Sequence, residues 1–150
     1  PDKYDSTVLY GLEAGKYRLA LKTPKDQIIN VEYTRDKSKK KAAYKKSKAI
    51  HLKSDIDSIY TSTEKAARWY KVSVSSTKKR KAVTLSKDSV GGGFKFCVYQ
   101  KGKRLKTVKV TKNDKVKTVK LPKKKGAYYV KVTKLTSKTT GAYYLGTYTY

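Results

Sequence analysis

The chain has 150 residues, 37 % of them apolar and 33 % charged, with 38 lysines and arginines against 11 acids and a net charge of +27 at pH 7. That length supports one ordinary domain, able to bury roughly 70 % of the surface its unfolded chain exposes. No run approaches the ~18 apolar residues that cross a bilayer as a helix and nothing near the start resembles a signal peptide, so no membrane insertion is expected, and any targeting signal is expected outside this methionine-free piece.

Composition alone leans toward disorder, but the apolar residues gather in short alternating runs. The first is GKYRLALKT, where Tyr17, Leu19 and Leu21 point one way and Lys16, Arg18 and Lys22 the other, the pattern of a half-buried antiparallel strand. It belongs to an N-terminal β segment over residues 4–34. KKKAAYKKSKA at 39–49 has too few apolar residues for a helical stripe and reads as a basic connector with at most one helical turn. AIHLKS carries the single histidine, His51, and DID brings Asp55 and Asp57 close together.

From there strands follow one another. WYKVSVSS alternates through Tyr70, Val72 and Val74, and KAVTLS through Val83 and Leu85. Gly91, Gly92 and Gly93 read as a flexible corner before FKFCVYQ, with Phe94, Phe96 and Val98 on one side. Lys101 with Gly102, and Asn113 with Asp114, separate FKFCVYQ, RLKTVKV and KVKTVKL into a meander of two hairpins. Pro122 and Gly126 bracket a lysine turn, and AYYVKVT alternates through Tyr128, Val130 and Val132. Short strands every 8 to 12 residues indicate an all-β fold, an antiparallel β-sandwich of jelly-roll type with little helix.

GKYRLAL at 15–21, GAYYVKV at 126–132 and GAYYLGT at 141–147 echo one another. The echo fits a tandem array cut near a boundary, or two sheets of one sandwich. Two parts are therefore expected: residues 1–48, an N-terminal β segment and basic connector, and residues 49–150, the sandwich. Whether 1–34 joins that sandwich or ends a preceding repeat stays open.

No catalytic set is visible. One histidine, one cysteine and the absence of a G-x-S-x-G elbow, an H-E-x-x-H helix or a phosphate-cradling loop leave nothing to build a reaction on, and no enzyme is expected. Zinc lacks its usual ligands, two carboxylates are few for calcium, and no cofactor is expected. Cys97 reads as a small packed residue, and compartment cannot be argued from one thiol.

The order of RWYKVSVSS, the glycine corner, FKFCVYQKGKRL, LPKKKGAYYVKV and GAYYLGTYTY resembles the bacterial pre-peptidase C-terminal domain, whose pattern runs from an aromatic strand near "DWYKF" to "L.AGTYYI.V" and a closing "G.Y.L". The resemblance covers about residues 49–150. It implies a β-sandwich module of secreted or surface proteins outside the catalytic domain, with roles in adhesion, substrate binding or carbohydrate binding. Where that family often has acids before the aromatic pair, this chain has EKAAR at 64–68, which speaks against calcium binding.

The surface resources are lysine and tyrosine. Arg18, Arg35, Arg68, Arg80 and Arg104 are the only arginines among the 38 basic residues, and lysine is a hydrated point charge that attracts polyanions without reading them. Fourteen tyrosines accompany Trp69. If the last two strands pair, Tyr129, Lys131, Tyr144 and Tyr148 form one outward aromatic platform flanked by lysine, suited to sugar rings and acidic groups. The same tyrosines also suit a sheet that only needs stabilising. The sequence thus points to a non-catalytic extracellular or cell-surface module that associates with anionic or glycan polymers of a cell wall or mucus, beside neighbouring domains of its own polypeptide. The alternative is a structural spacer in a repeat array, and nonspecific nucleic-acid binding stands third.

Overall fold

A computed structural model describes residues 12, 15–20, 22, 42–53, 56–60 and 64–150. Nine strands and one turn of 3-10 helix, Lys46–Lys48, make up its regular structure. The strands are β1 (Ile50–His51), β2 (Ile56–Tyr60), β3 (Arg68–Val74), β4 (Lys81–Gly91), β5 (Phe94–Gln100), β6 (Lys103–Val110), β7 (Val116–Lys120), β8 (Gly126–Lys134) and β9 (Thr140–Thr149). They form a five-stranded sheet in the order β1-β3-β8-β5-β6 and a four-stranded sheet in the order β2-β9-β4-β7. Every pairing is antiparallel except β1 with β3. The expected sandwich is therefore the observed one.

The period-two pattern places the core. Tyr70, Val72 and Val74 of β3, Tyr128, Val130 and Val132 of β8, and Phe94, Phe96 and Val98 of β5 are buried and face Val83, Leu85, Tyr143 and Leu145 of the other sheet. Alternation alone decides this, because a side chain every second residue shares one face. Buried tyrosines find partners for their hydroxyls: Tyr70 and Tyr143 hydrogen-bond to each other across the core, and Tyr128 donates to the carbonyls of Pro122 and Lys124. At the end of β3, buried Arg68 is held bidentately by Glu64, Nε to Oε1 at 2.8 Å and Nη2 to Oε2 at 2.6 Å, so the EKAAR stretch closes on itself as an ion pair.

Connections differ from expectation in two places. Among the described residues only β5 and β6 form a hairpin between successive strands, over Lys101 and Gly102, both with positive φ as a tight I′-type turn requires. The expected second hairpin is absent: β7 pairs with β4 in the opposite sheet. Its turn residues work as a corner instead, with the Thr111 N–H and hydroxyl both donating to Asp114 Oδ2 while Lys117 pairs with Oδ1 at 2.6 Å. These contacts, the Lys117 bond foremost, hold the Asp114 carboxyl well below the usual carboxylate range. The second correction concerns residues 15–20, which form no strand; Tyr17 is 57 % and Leu19 70 % exposed. An alternating segment buries one face only when a sheet receives it, and none among the described residues does. Leu21 and the rest of the expected 4–34 β segment, apart from Leu12 and Lys22, lie outside the described residues, as does Asp55.

The glycine corner is tight, not loose. Thr139, fully buried, donates from its hydroxyl to the Gly93 carbonyl at 3.1 Å and accepts from the Gly93 N–H at 3.3 Å. A Cβ on Gly92 would strike the Thr139 hydroxyl, and one on Gly93 would strike the Val110 carbonyl. Gly93→Ala must push backbone aside and is expected to cost about 3 kcal/mol, whereas Gly102→Ala, with open space but φ of +80°, should cost about 1–2 kcal/mol. Chemical denaturation of the two variants reads the difference directly.

Candidate functional site

Because β8 lies in the five-stranded sheet and β9 in the four-stranded one, the four residues singled out from the sequence do not form one platform. Tyr129 and Lys131 are on one outer face of the sandwich, and Tyr144 and Tyr148 on the other. The condition that the last two strands pair is not met: the chain crosses between sheets at 135–139, where Leu135 and Thr139 anchor to Gly93.

On the four-stranded sheet the outward residues fall into ranks across the strands. Lys120, Ala82 and Tyr148 make one, Thr118, Thr84 and Gly146 the next, and Val116, Ser86 and Tyr144 a third. The middle rank is low, since it consists of two threonines, whose hydroxyls bond at 3.0 Å, and a glycine. Tyr144 and Tyr148 therefore stand on either side of a notch, ~13 Å apart along the strand. Their exposures are 41 % and 46 %, and the notch, lined also by Thr84, Ser86 and Thr147, encloses about 230 Å³. Tyr150 continues the row, its ring 5.8 Å from that of Tyr148 and with Lys120 Nζ 5.3 Å above it.

The five-stranded sheet presents a different surface. Lys71, Tyr129, Tyr99 and Arg104 form one rank across four strands, and Trp69, Lys131, Cys97 and Thr107 the next. Trp69 and Tyr99 are in ring contact at 5.7 Å. Lys131 Nζ sits 5.5 Å over the Trp69 ring and Lys46 Nζ 4.7 Å over that of Tyr129. Cys97 is buried on this outward side, its Sγ 3.3 Å from the Thr107 hydroxyl. Burial raises the Tyr99 phenol above its ordinary range. Sequence reading missed Trp69, Tyr99 and Lys46 as members of this surface, since their meeting depends on strand order and on the 3-10 turn lying over the sheet.

His51 is exposed on the short edge strand β1, opposite Lys71 in register. Among the described residues no three His, Cys, Asp or Glu side chains gather where they could hold a metal ion, and no helix is long and apolar enough to cross a membrane.

No family model and no curated protein sequence matches the chain. Twelve chains of solved structures do. One is the pre-peptidase C-terminal domain of collagenase from Bacillus anthracis, with a TM-score of 0.50 at 17 % identity over 67 % of this chain and 92 % of that one. The likeness is one of fold.

The two sides of β9 offer a direct check of this assignment. Tyr143→Phe removes a hydroxyl bond inside the core and is expected to cost about 1–2 kcal/mol, while Tyr144→Ala and Tyr148→Ala, at exposed positions, should each cost less than about 1 kcal/mol. Thermal or urea unfolding of the three variants distinguishes the buried from the exposed rings.

Proposed function

We propose that this β-sandwich is a non-catalytic accessory module of a secreted or cell-surface protein, and that it holds its carrier to a glycan polymer through the tyrosine notch of the four-stranded sheet. The observation that carries this reading is the pair Tyr144 and Tyr148, exposed on either side of the low Thr118, Thr84 and Gly146 rank. An apolar ring face beside hydroxyls suits a sugar, which has C–H-rich faces and hydroxyl edges. Glycine at the floor lets a flat ring approach the backbone, and Thr84 and Ser86 stand where hydroxyl groups would need partners. The fold shared with a pre-peptidase C-terminal domain supports the accessory role.

The spacer reading also draws on one observation: Tyr70, Tyr128 and Tyr143 are core residues, so part of the tyrosine content serves the sandwich itself. Affinity electrophoresis and pull-down against neutral polysaccharides, peptidoglycan, teichoic acid and sialylated or sulfated glycans, at low and high salt, separate the two. Retention by a neutral glycan that survives high salt, weakened roughly tenfold to thirtyfold in the Tyr144→Ala, Tyr148→Ala double variant, is the expected result, from about 1 kcal/mol per ring. Failure to hold any polymer at low salt, or equal retention by the double variant, would leave the module a spacer.

A further inference from the structure

The outer face of the five-stranded sheet has the chemistry of a second site. No aspartate or glutamate occurs in its five strands among the described residues, whereas Lys71, Lys95, Arg104, Lys109 and Lys131 fall in its outward ranks. The rank Lys71, Tyr129, Tyr99 and Arg104 puts a cation at each end of two rings, over three strand spacings or ~14 Å. Two ammonium groups, Lys46 and Lys131, rest over the faces of Tyr129 and Trp69. A ring beneath an ammonium restricts the lysine's wandering and lowers the entropy it loses when an anion arrives.

We propose that this face binds an anionic polysaccharide laid across the strands, with Lys46, Lys71 and Lys131 meeting its sulfate or carboxylate groups. The arrangement selects against nucleic acid. Single strands are held by stacking bases on open ring faces, and here the faces of Tyr129 and Trp69 carry ammonium groups instead. Hydroxyls of Ser73, Thr107 and Thr133 lie on the same side as the cations and suit a sugar's hydroxyl edges. The site deepens the glycan reading by naming a charged class of polymer, but it stands on its own residues and not on the notch.

Trp69 is the chain's single tryptophan, so its fluorescence reports occupancy of this face alone. The test titrates the whole chain at low salt with heparin, with the same polymer desulfated, and with a single-stranded DNA oligomer. Wild type is compared with a Lys46→Gln, Lys71→Gln, Lys131→Gln triple variant and with a Lys123→Gln, Lys124→Gln, Lys125→Gln triple that removes equal charge from a turn. Heparin is expected to change Trp69 emission, and the sheet triple to weaken it by about tenfold or more against less than about threefold for the turn triple. DNA is expected to bind about tenfold more weakly than heparin. Equal losses in both triples would reduce the effect to diffuse charge, unchanged emission at saturation would place the polymer elsewhere, and DNA bound as tightly as heparin would make this a nucleic-acid face; each outcome overturns the proposal. Tyr144→Ala with Tyr148→Ala should leave heparin binding unchanged, so loss of the neutral-glycan site and loss of this one are read separately.

Discussion

Burial of one side chain in two along short strands holds this molecule together. Only 37 % of the residues are apolar, too few to fill both faces of a sheet, so each strand commits its apolar side to a single shared core. Lys71, Lys95, Lys109 and Lys131 are thereby turned outward, while Arg68, on the inward side of β3, is buried with Glu64 as its partner. Burial also presses the Lys134 ammonium below its ordinary range at the end of β8. The net charge of +27 works against compaction through self-repulsion, and lysine along sheet edges disfavours pairing with other chains.

How much of this was legible depends on range. The inward set Tyr70, Val72, Val74, Val83, Leu85, Tyr128, Val130 and Val132 follows from alternation, a property of neighbours in sequence, and the structure buries all of it. Lys101 and Gly102 were legible for the same reason, as a two-residue turn between alternating runs. Which strand lies beside which was not legible, because it is decided by contacts distant in sequence. Asn113 and Asp114 look like a hairpin turn in the sequence, yet here the Asp114 carboxylate caps Thr111 at a corner where the chain passes to the other sheet. Residues 15–20 alternate as well as any strand and still remain exposed, since period two describes a capacity to be half-buried and supplies no partner.

The corner around Gly93 shows why a sequence of three glycines is ambiguous. Conformational freedom and close packing both call for glycine. Here Gly92 needs both, with φ of +77° and Thr139 against its Cα, while Gly93 is fixed by the neighbouring strand's carbonyl. The corner thus joins two distant crossings, β4 to β5 and β8 to β9, through one buried threonine hydroxyl. The chain crosses at this corner between the sheets that hold the last two strands, and the four residues singled out from the sequence divide two and two.

That division gives the same residue type two chemistries. Tyr144 and Tyr148 flank a rank of threonine and glycine and are 41 % and 46 % exposed, with no ammonium seated on either ring among the described contacts. Tyr129 stands between Lys71 and Tyr99 under Lys46, so its ring supports a cation and is half covered by it. Neither difference resides in the tyrosine or in its local sequence, since Tyr129 and Tyr144 each close a GAYY string. What the neighbouring strands and the 3-10 turn bring beside a ring decides whether it is a surface to be stacked upon or a seat for a charge.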